Sequence, residues 1–561
     1  FFKQKTAYEI PDLFDSALTQ RGLTWEDVRF DQDELATWGG SKWKLTGFSL
    51  FHRHPFRLPA HAQVMLEDLI RKTSKPIELV SLASRLIDHP IHRGLVGDQL
   101  EEYIVFPDTV PKPSITRDKN VLTGEQYAAL KDGIDLVYAL ADDEDHLLRL
   151  GLKEVDNNKY RERLFDYFVN ENDERLDELY EILEKVDMNR MIAGAQDYAE
   201  AAGRLADSLH LMTFPDGKTE IKTRRGLIVV GTAGDDEFEY YDPPLLIVDG
   251  GGDDIYRLAG YPNDHSVSII VDAAGDDRYL STDTTRPGLA GAILGVSILI
   301  DKNGNDRYEA HAVAQGAGIF GVGLLMDGVG DDVYTAKHMS QGMGTFGIGI
   351  LADSAGNDSL YCLSTSQGFG YTRGCGLVVN VEGDDRYVAE DDSLFNPSSQ
   401  TKEHNSSLAQ GVGFGKRADY LDGHSWAGGV GVLCDGTGDD RYSAGLFAQG
   451  CAYWYALGML LDGGGNDRYN GVWYVQGSGA HFAVGYLDDF EGDDTYTATH
   501  NMAIGAGHDF SLGYLNERGG NDTYNAPNLS LGGGNANGIG IFYDHTGNDT
   551  YNSSGGTTLG R

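Results

Sequence analysis

A short phrase, Gly-Asp/Asn-Asp-x-Tyr, returns at a near-constant interval through the C-terminal part of the chain. It restricts the fold more than any other feature. Its clearest copy is Asp462-Gly463-Gly464-Gly465-Asn466-Asp467-Arg468-Tyr469. Taking the last Asp of each copy as a marker gives Asp236, Asp254, Asp277, Asp306, Asp332, Asp358, Asp385, Asp440, Asp467, Asp494, Asp522 and Asp549. The steps are 26, 26 and 27 residues from Asp306 to Asp385, and 27, 27, 28 and 27 from Asp440 to Asp549. A period of this size predicts a solenoid, in which one repeat is one coil that buries its face only against its neighbours.

One coil can be parsed from Gly316 to Gln341. Residues 316–326 alternate small and apolar side chains, as a strand in a tightly stacked sheet does. Asp327-Gly328-Val329-Gly330-Asp331-Asp332 has turn chemistry, and Val333 begins a second strand. The expected fold is α+β. A helical N-terminal region, residues 1–218, precedes a Gly/Asp-rich parallel β-solenoid of about eleven coils, residues 219–561. Stacking at ~4.8 Å predicts an aromatic ladder from the Tyr two places after each marker. It also predicts an amide stack from Gln315, Gln341, Gln367, Gln410, Gln449 and Gln476.

The acidic positions form the ladder with chemical content. The marker is Asp in all twelve copies, whereas the residue before it is Asp in seven and Asn in five. Five residues before the marker lies a further Asp in nine copies: Asp249, Asp272, Asp301, Asp327, Asp353, Asp435, Asp462, Asp489 and Asp544. A turn needing only a local acceptor would take Asn at the marker as readily as Asp. Unit charges ~4.8 Å apart repel by about 3 kcal/mol at an effective dielectric of 20, so such a file calls for counterions or protons. Clustered carboxylates with turn carbonyls suit Ca²⁺, which takes six to eight oxygens, better than Mg²⁺, which keeps its waters. The candidate ligands are the nine Asp above and the markers Asp254, Asp277, Asp306, Asp332, Asp358, Asp385, Asp440, Asp467, Asp494, Asp522 and Asp549.

The phrase resembles the repeat-in-toxin calcium repeat, Gly-Gly-x-Gly-x-Asp-x-U-x. Gly463, Gly465, Asp467 and Tyr469 match its second, fourth, sixth and eighth positions, and Gly250, Gly252, Asp254 and Tyr256 match likewise. The resemblance covers one turn per coil and departs in period, because that family repeats every nine residues. It implies Ca²⁺ between stacked turns and folding outside the cell, hence a secreted, periplasmic or cell-surface location.

A net charge of -41 leaves no phosphate-neutralising surface, which argues against nucleic acid as a partner. No apolar run is long enough to span a membrane. Cys362, Cys375, Cys434 and Cys451 share no phase within the coil, and read as four buried thiols rather than a disulfide framework. In the helical region, Thr123-Gly124-Glu125-Gln126 has the form of a capping box. His52, His54, His61, His89 and His92 are numerous enough to pose the question of a metal, but no metal-site spacing accompanies them.

Between Asp385 and Asp440 the step is 55 residues, with one displaced Gln410. The simplest reading is one coil, 386–440, with two insertions near 390–406 and 416–427. These carry Asp391, Asp392, His404, Lys416, Arg417, Asp419, Asp422, His424 and Trp426. Loops on a rigid scaffold are where function concentrates. An acid/base pair of His404 or His424 with Asp419 or Asp422, beside Trp426 as a platform, would suit a sugar substrate. Two readings follow. One is a calcium-stiffened structural, adhesive or assembly scaffold, whose partners are other protein chains or cell-surface polysaccharide, with self-association through the solenoid ends. The other is a polysaccharide lyase or hydrolase using the 390–427 loops.

Overall fold

A computed structural model of the chain describes residues 19, 43–90, 128–171, 176–258, 260, 266–418, 425–556 and 558–559. A helical N-terminal region is followed by a parallel β-solenoid of about eleven coils. The chain divides into two compact units, one of Lys72–Gly368 with Cys375–Val388, the other of Phe1–Arg71, Phe369–Gly374 and Ala389–Arg561. The capping box at 123–126 and His92 lie outside the described residues.

Each regular coil has three sides. In one, Val322–Met326 lies on the first face, the Gly/Asp turn follows, and Val333–Thr335 lies on the second. Gln341 and Gly342 make a corner, and Gly344–Thr345 forms a short third side before Ile348–Ala352 starts the next coil. Pairing is parallel and residue for residue: Val322 opposes Ile348, and Tyr308 opposes Tyr334. An exact in-register stack superimposes like on like, so any side chain that suits one coil must suit its neighbours. That condition produces the ladders. Tyr256, Tyr279, Tyr308 and Tyr334 stack with ring centroids 4.6 to 4.8 Å apart. The rings of Tyr442, Tyr469 and Tyr496 are 4.8 and 4.7 Å apart.

The Gln ladder differs from the amide stack expected. Gln341 is left-handed (φ 53°), and its Nε2 donates to the carbonyl of Tyr334 in its own coil (3.2 Å) and of Tyr361 in the next (3.0 Å). Gln315, Gln367 and Gln476 repeat the pattern. Each amide therefore pins a corner by capturing two backbone carbonyls.

In the unit of Lys72–Gly368 with Cys375–Val388, the first face runs from Gly226–Val230 to Cys375–Val379. The hairpin strand Thr219–Thr223 pairs antiparallel with Gly226–Val230 at its start. The long helix Met188–Ser208, capped by Asp187 accepting from the Arg190 N–H, buries Ala195, Ala199 and Ala202. Gly194 is required there: a Cβ would lie 2.2 Å from the Leu148 nitrogen of a crossing helix. Helix Asn157–Val169 is fixed to the solenoid by the buried Arg161, which donates to the carbonyls of Ile293 and Leu294 and to Ser266 Oγ.

In the other unit, the first face runs from Val430–Asp435 to Ile539–Asp544. Helices Thr46–Arg53 and Leu58–Lys72 lie against these coils. Phe48 packs edge-on against Tyr455, and His52 Nε2 meets the Phe510 carbonyl at 2.7 Å. Arg518 joins the buried Asp488 through two 2.9 Å bonds and donates to the Pro59 carbonyl. Residues 389–440 supply one set of coil strands, Ser406–Ala409, Gly413–Phe414 and Val430–Asp435, so the long step is one coil with two insertions.

Corner glycines tolerate no side chain where backbones close in. A Cβ on Gly342 (φ +72°) would lie 2.1 Å from the Leu377 carbonyl, whereas one on Gly234 meets nothing within 4 Å. Gly342→Ala is expected to cost about 2–4 kcal/mol, and Gly234→Ala less than about 0.5 kcal/mol. Denaturant unfolding of the two variants checks this, and equal losses would contradict it.

Candidate metal centre

The carboxylates at the marker and five residues before it line the inside of the Gly/Asp turns. From Asp249 to Asp522 every one is 3 % exposed or less. They are placed there by the strand period: the earlier Asp ends the first-face strand, and the marker precedes the Tyr strand whose ring points inward. In the last coil, Asp544 and Asp549 are only half-buried.

The two positions divide the hydrogen bonding between them. Within each unit the marker Oδ1 accepts the backbone N–H of the marker in the preceding coil, as in Asp306 to Asp332 (2.5 Å), Asp358 to Asp385 (2.7 Å) and Asp467 to Asp494 (2.7 Å). In Asp272, Asp301, Asp353 and Asp462 the earlier Asp accepts from its own turn through Oδ1 and from the preceding coil's Tyr hydroxyl through Oδ2, whereas Oδ1 of Asp327 and Asp489 has no hydrogen-bond partner among the described residues. Tyr334 donates to Asp353 Oδ2 at 2.6 Å and Tyr442 to Asp462 Oδ2 at 2.8 Å. Tyr256 and Tyr279 bond Asp272 and Asp301 in the same way. The hydroxyls are thus part of the site, which their aromatic role in the sequence concealed. Glu517 is a further member: it occupies the earlier position before Asp522, is fully buried, and accepts from Tyr496 at 2.5 Å. Its five-residue offset from the marker is the signal that finds it.

The marker Oδ2 is left over. In Asp254, Asp277, Asp306, Asp332, Asp467, Asp494 and Asp522 this atom is buried and has no hydrogen-bond partner among the described residues. Its neighbours are other carboxylates. Oxygens of Asp249, Asp254 and Asp272 lie within 4.8 Å of one another, as do those of Asp306, Asp327 and Asp332. At the start of the file Asp249 Oδ2 is also unpartnered, since Phe238 supplies no hydroxyl and Gly231 leaves the adjacent space open. A buried polar atom without a partner is costly, and a buried charge more so. The donor set is all oxygen, and its orphaned atoms converge, which fits a hard divalent cation.

The residue before each marker provides an internal contrast. This column is exposed and mixes the two residues: it opens with Asp235, Asp253 and Asp276, alternates through Asn305, Asp331, Asn357 and Asp384 in one unit and through Asp439, Asn466, Asp493 and Asn521 in the other, and closes with Asn548. Each Asn that follows an Asp in the column donates Nδ2 to it, for example Asn357 to Asp331 and Asn466 to Asp439, both at 2.9 Å. Where water already screens the charge, five of the twelve positions carry an amide instead of a carboxylate. Where burial removes water, none of the markers does.

Burial, followed by the neighbouring charges, pushes these carboxyls far above the usual range: Asp249 and Asp332 up to about 10, Asp277 to about 9 and Asp306 to about 8. In the other unit Asp467 rises to about 10 by burial and the Asp462 charge, and Asp494 to about 8 by burial foremost. Without a cation, burial and the neighbouring charges favour the protonated form of these groups.

The other sequence candidates take different places. His404 Nδ1 bonds Asp391 Oδ2 at 2.6 Å, while Asp419, Asp422 and His424 lie outside the described residues. Trp426 is fully buried 6.0 Å from Trp43 and so is not a platform for a substrate. His61 Nδ1 lies 3.0 Å from the Arg57 carbonyl and His89 Nδ1 2.7 Å from Asn189 Oδ1, so His52, His61 and His89 have separate partners. All four cysteines are buried free thiols. No described helix is long and apolar enough to cross a membrane. No family model, curated protein or solved structure matches the chain.

The raised carboxyls fix the sign of a pH effect. With folded values between about 6 (Asp327) and about 10 (Asp249), above the unfolded value of about 3.9, the metal-free fold binds protons more tightly than the unfolded chain. That stabilisation is complete below about pH 4 and is lost as pH rises through the folded values. Calorimetry in chelator is expected to show a melting temperature falling on the order of 10 °C from pH 6 to 9. A melting temperature that rises over this interval would contradict the protonated file.

Proposed function

We propose that the solenoid is a calcium-binding scaffold in which a file of Ca²⁺ ions, held by the buried marker Asp and the acid five residues before it, neutralises the turns. The observation that carries this reading is the contrast between columns: the exposed one dilutes its charge with Asn, while the buried one keeps Asp and leaves Oδ2 without a donor. The ligands would be Asp249, Asp254, Asp272, Asp277, Asp301, Asp306, Asp327, Asp332 and Asp353 in one unit. In the other they would be Asp462, Asp467, Asp489, Asp494, Glu517 and Asp522, with Asp544 and Asp549 in its last coil. Bound Ca²⁺ supplies positive charge and extra coordination to oxygens that the chain does not satisfy. The resemblance to repeat-in-toxin turns supports the same ion.

Such a scaffold belongs where Ca²⁺ is plentiful, at a cell surface or in a secreted or periplasmic setting, since extracellular calcium modules work at about 10⁻⁴–10⁻³ M. Its role is structural or adhesive, with other chains or surface polysaccharide as partners. The test is to strip the protein with chelator, re-equilibrate it with Ca²⁺ or Mg²⁺, count bound ions by mass spectrometry and follow thermal unfolding. Several Ca²⁺ per chain and a rise on the order of 10 °C with Ca²⁺ but not Mg²⁺ are expected, with a lower count for Asp467→Asn. No bound Ca²⁺ and an unchanged melting temperature would reject the proposal.

A carbohydrate-acting centre in the 390–427 loops has one specific support, the His404–Asp391 pair beside the His500 ring, whose centroid is 5.6 Å from that of His404. Incubation with acidic and neutral polysaccharides checks it. New reducing or unsaturated ends that disappear in His404→Ala would favour the enzyme, and their absence from the parent protein would exclude it for those substrates.

A further inference from the structure

We propose that the cation file has a built-in gap: the step between Asp358 and Asp385 binds no ion and is held by an amide instead. This rests on the calcium reading above and specifies where that reading does not apply.

Three changes coincide at this step. The position five before Asp385 is Asn380 rather than an acid, so the site loses a charge. The ring position two after Asp358 is Leu360 rather than Tyr, so the hydroxyl that elsewhere serves the next coil's carboxylate is missing as well. The two losses match, because Asn380 turns Nδ2 to Asp358 and Oδ1 to the Val381 N–H, leaving no second acceptor oxygen for a phenol. The third change is at Asp358. Its Oδ2, the atom that is orphaned in Asp254, Asp277, Asp306 and Asp332, accepts Asn380 Nδ2 at 3.0 Å. Asn380 Oδ1 in turn accepts the Val381 N–H at 2.9 Å.

Both side chains are buried, Asp358 at 2 % and Asn380 at 1 % exposure. An N–H therefore points at the oxygen that faces a cation in the other coils, and the positive end of the amide dipole would oppose an ion there. Asp358 Oδ2 is already satisfied, and the step carries one charge fewer. Because the orphaned Oδ2 atoms on the preceding coils are what call for an ion, the array that begins at Asp249 ends at Asp332, whose Oδ2 is the last of this run without a partner, and Asp353 beside it.

The experiment restores what the step lacks. The double variant Asn380→Asp with Leu360→Tyr recreates the acid and its hydroxyl donor, and ions are counted in parent and variant after equilibration with Ca²⁺ and removal of free metal. One additional Ca²⁺ per chain in the variant is expected. An equal count, with the parent binding several ions, overturns the gap and leaves the calcium scaffold standing. A parent that binds none overturns both. Should the variant not fold, crystals of the parent protein soaked in Tb³⁺ decide the matter. Anomalous peaks at the steps from Asp249 to Asp353 and none between Asp358 and Asp385 support the gap, and a peak between those two residues refutes it.

Discussion

A file of like charges from which water has been removed is the constraint on which the rest depends. In-register stacking puts each carboxylate about 4.8 Å from its copy in the next coil, and the Tyr ladder and first-face strands close the space around it. The repulsion of about 3 kcal/mol per neighbouring pair recurs along the whole file. Net folding stability is on the order of 5–15 kcal/mol, so a handful of uncompensated contacts would exceed it. The fold therefore requires something to compensate the charge inside each buried acidic turn: a proton, a metal or, at Asn380, an amide donor.

The hydrogen bonds around the file show how the chain meets this requirement part of the way. Marker Oδ1 stitches one coil to the one before it, and the Tyr hydroxyls hold the earlier acid in place. These donors favour the ionised form of the groups they reach. They do not reach marker Oδ2. The same turn, one residue earlier, eases the problem on the outside by exposure to water and by Asn set between Asp. Asn380 brings that outside solution to a single buried step.

Much of this was legible from the spacing alone. The period gave parallel coils, the phase gave the Tyr stack, and the five-residue offset gave the second acid, because in a stacked repeat one-dimensional phase is three-dimensional position. What the phase does not encode is which atom donates to which. The Gln column was visible, but its capture of two backbone carbonyls depends on the left-handed corner. Non-repeating residues were the least readable. His52, whose pKa burial lowers to about 4, serves as a partner for the Phe510 carbonyl, a contact 458 residues distant in sequence. Trp426, placed by its loop among candidate binding residues, is a core side chain. Asp391, one of the loop acids but not one of those paired with a histidine from the sequence, is the partner of His404 because the buried Asn405 folds the first insertion back on itself, donating to the Glu390 and Ser393 carbonyls.

Whether the buried acids carry metal or protons can be read directly from their infrared bands at neutral pH. Metal-loaded protein is expected to lack the protonated carboxyl stretch, and chelation is expected to bring that stretch up as protons replace the ions, reversibly on adding Ca²⁺. A protonated band of equal strength with and without Ca²⁺ would contradict the central claim and leave the file as a hydrogen-bonded acid ladder.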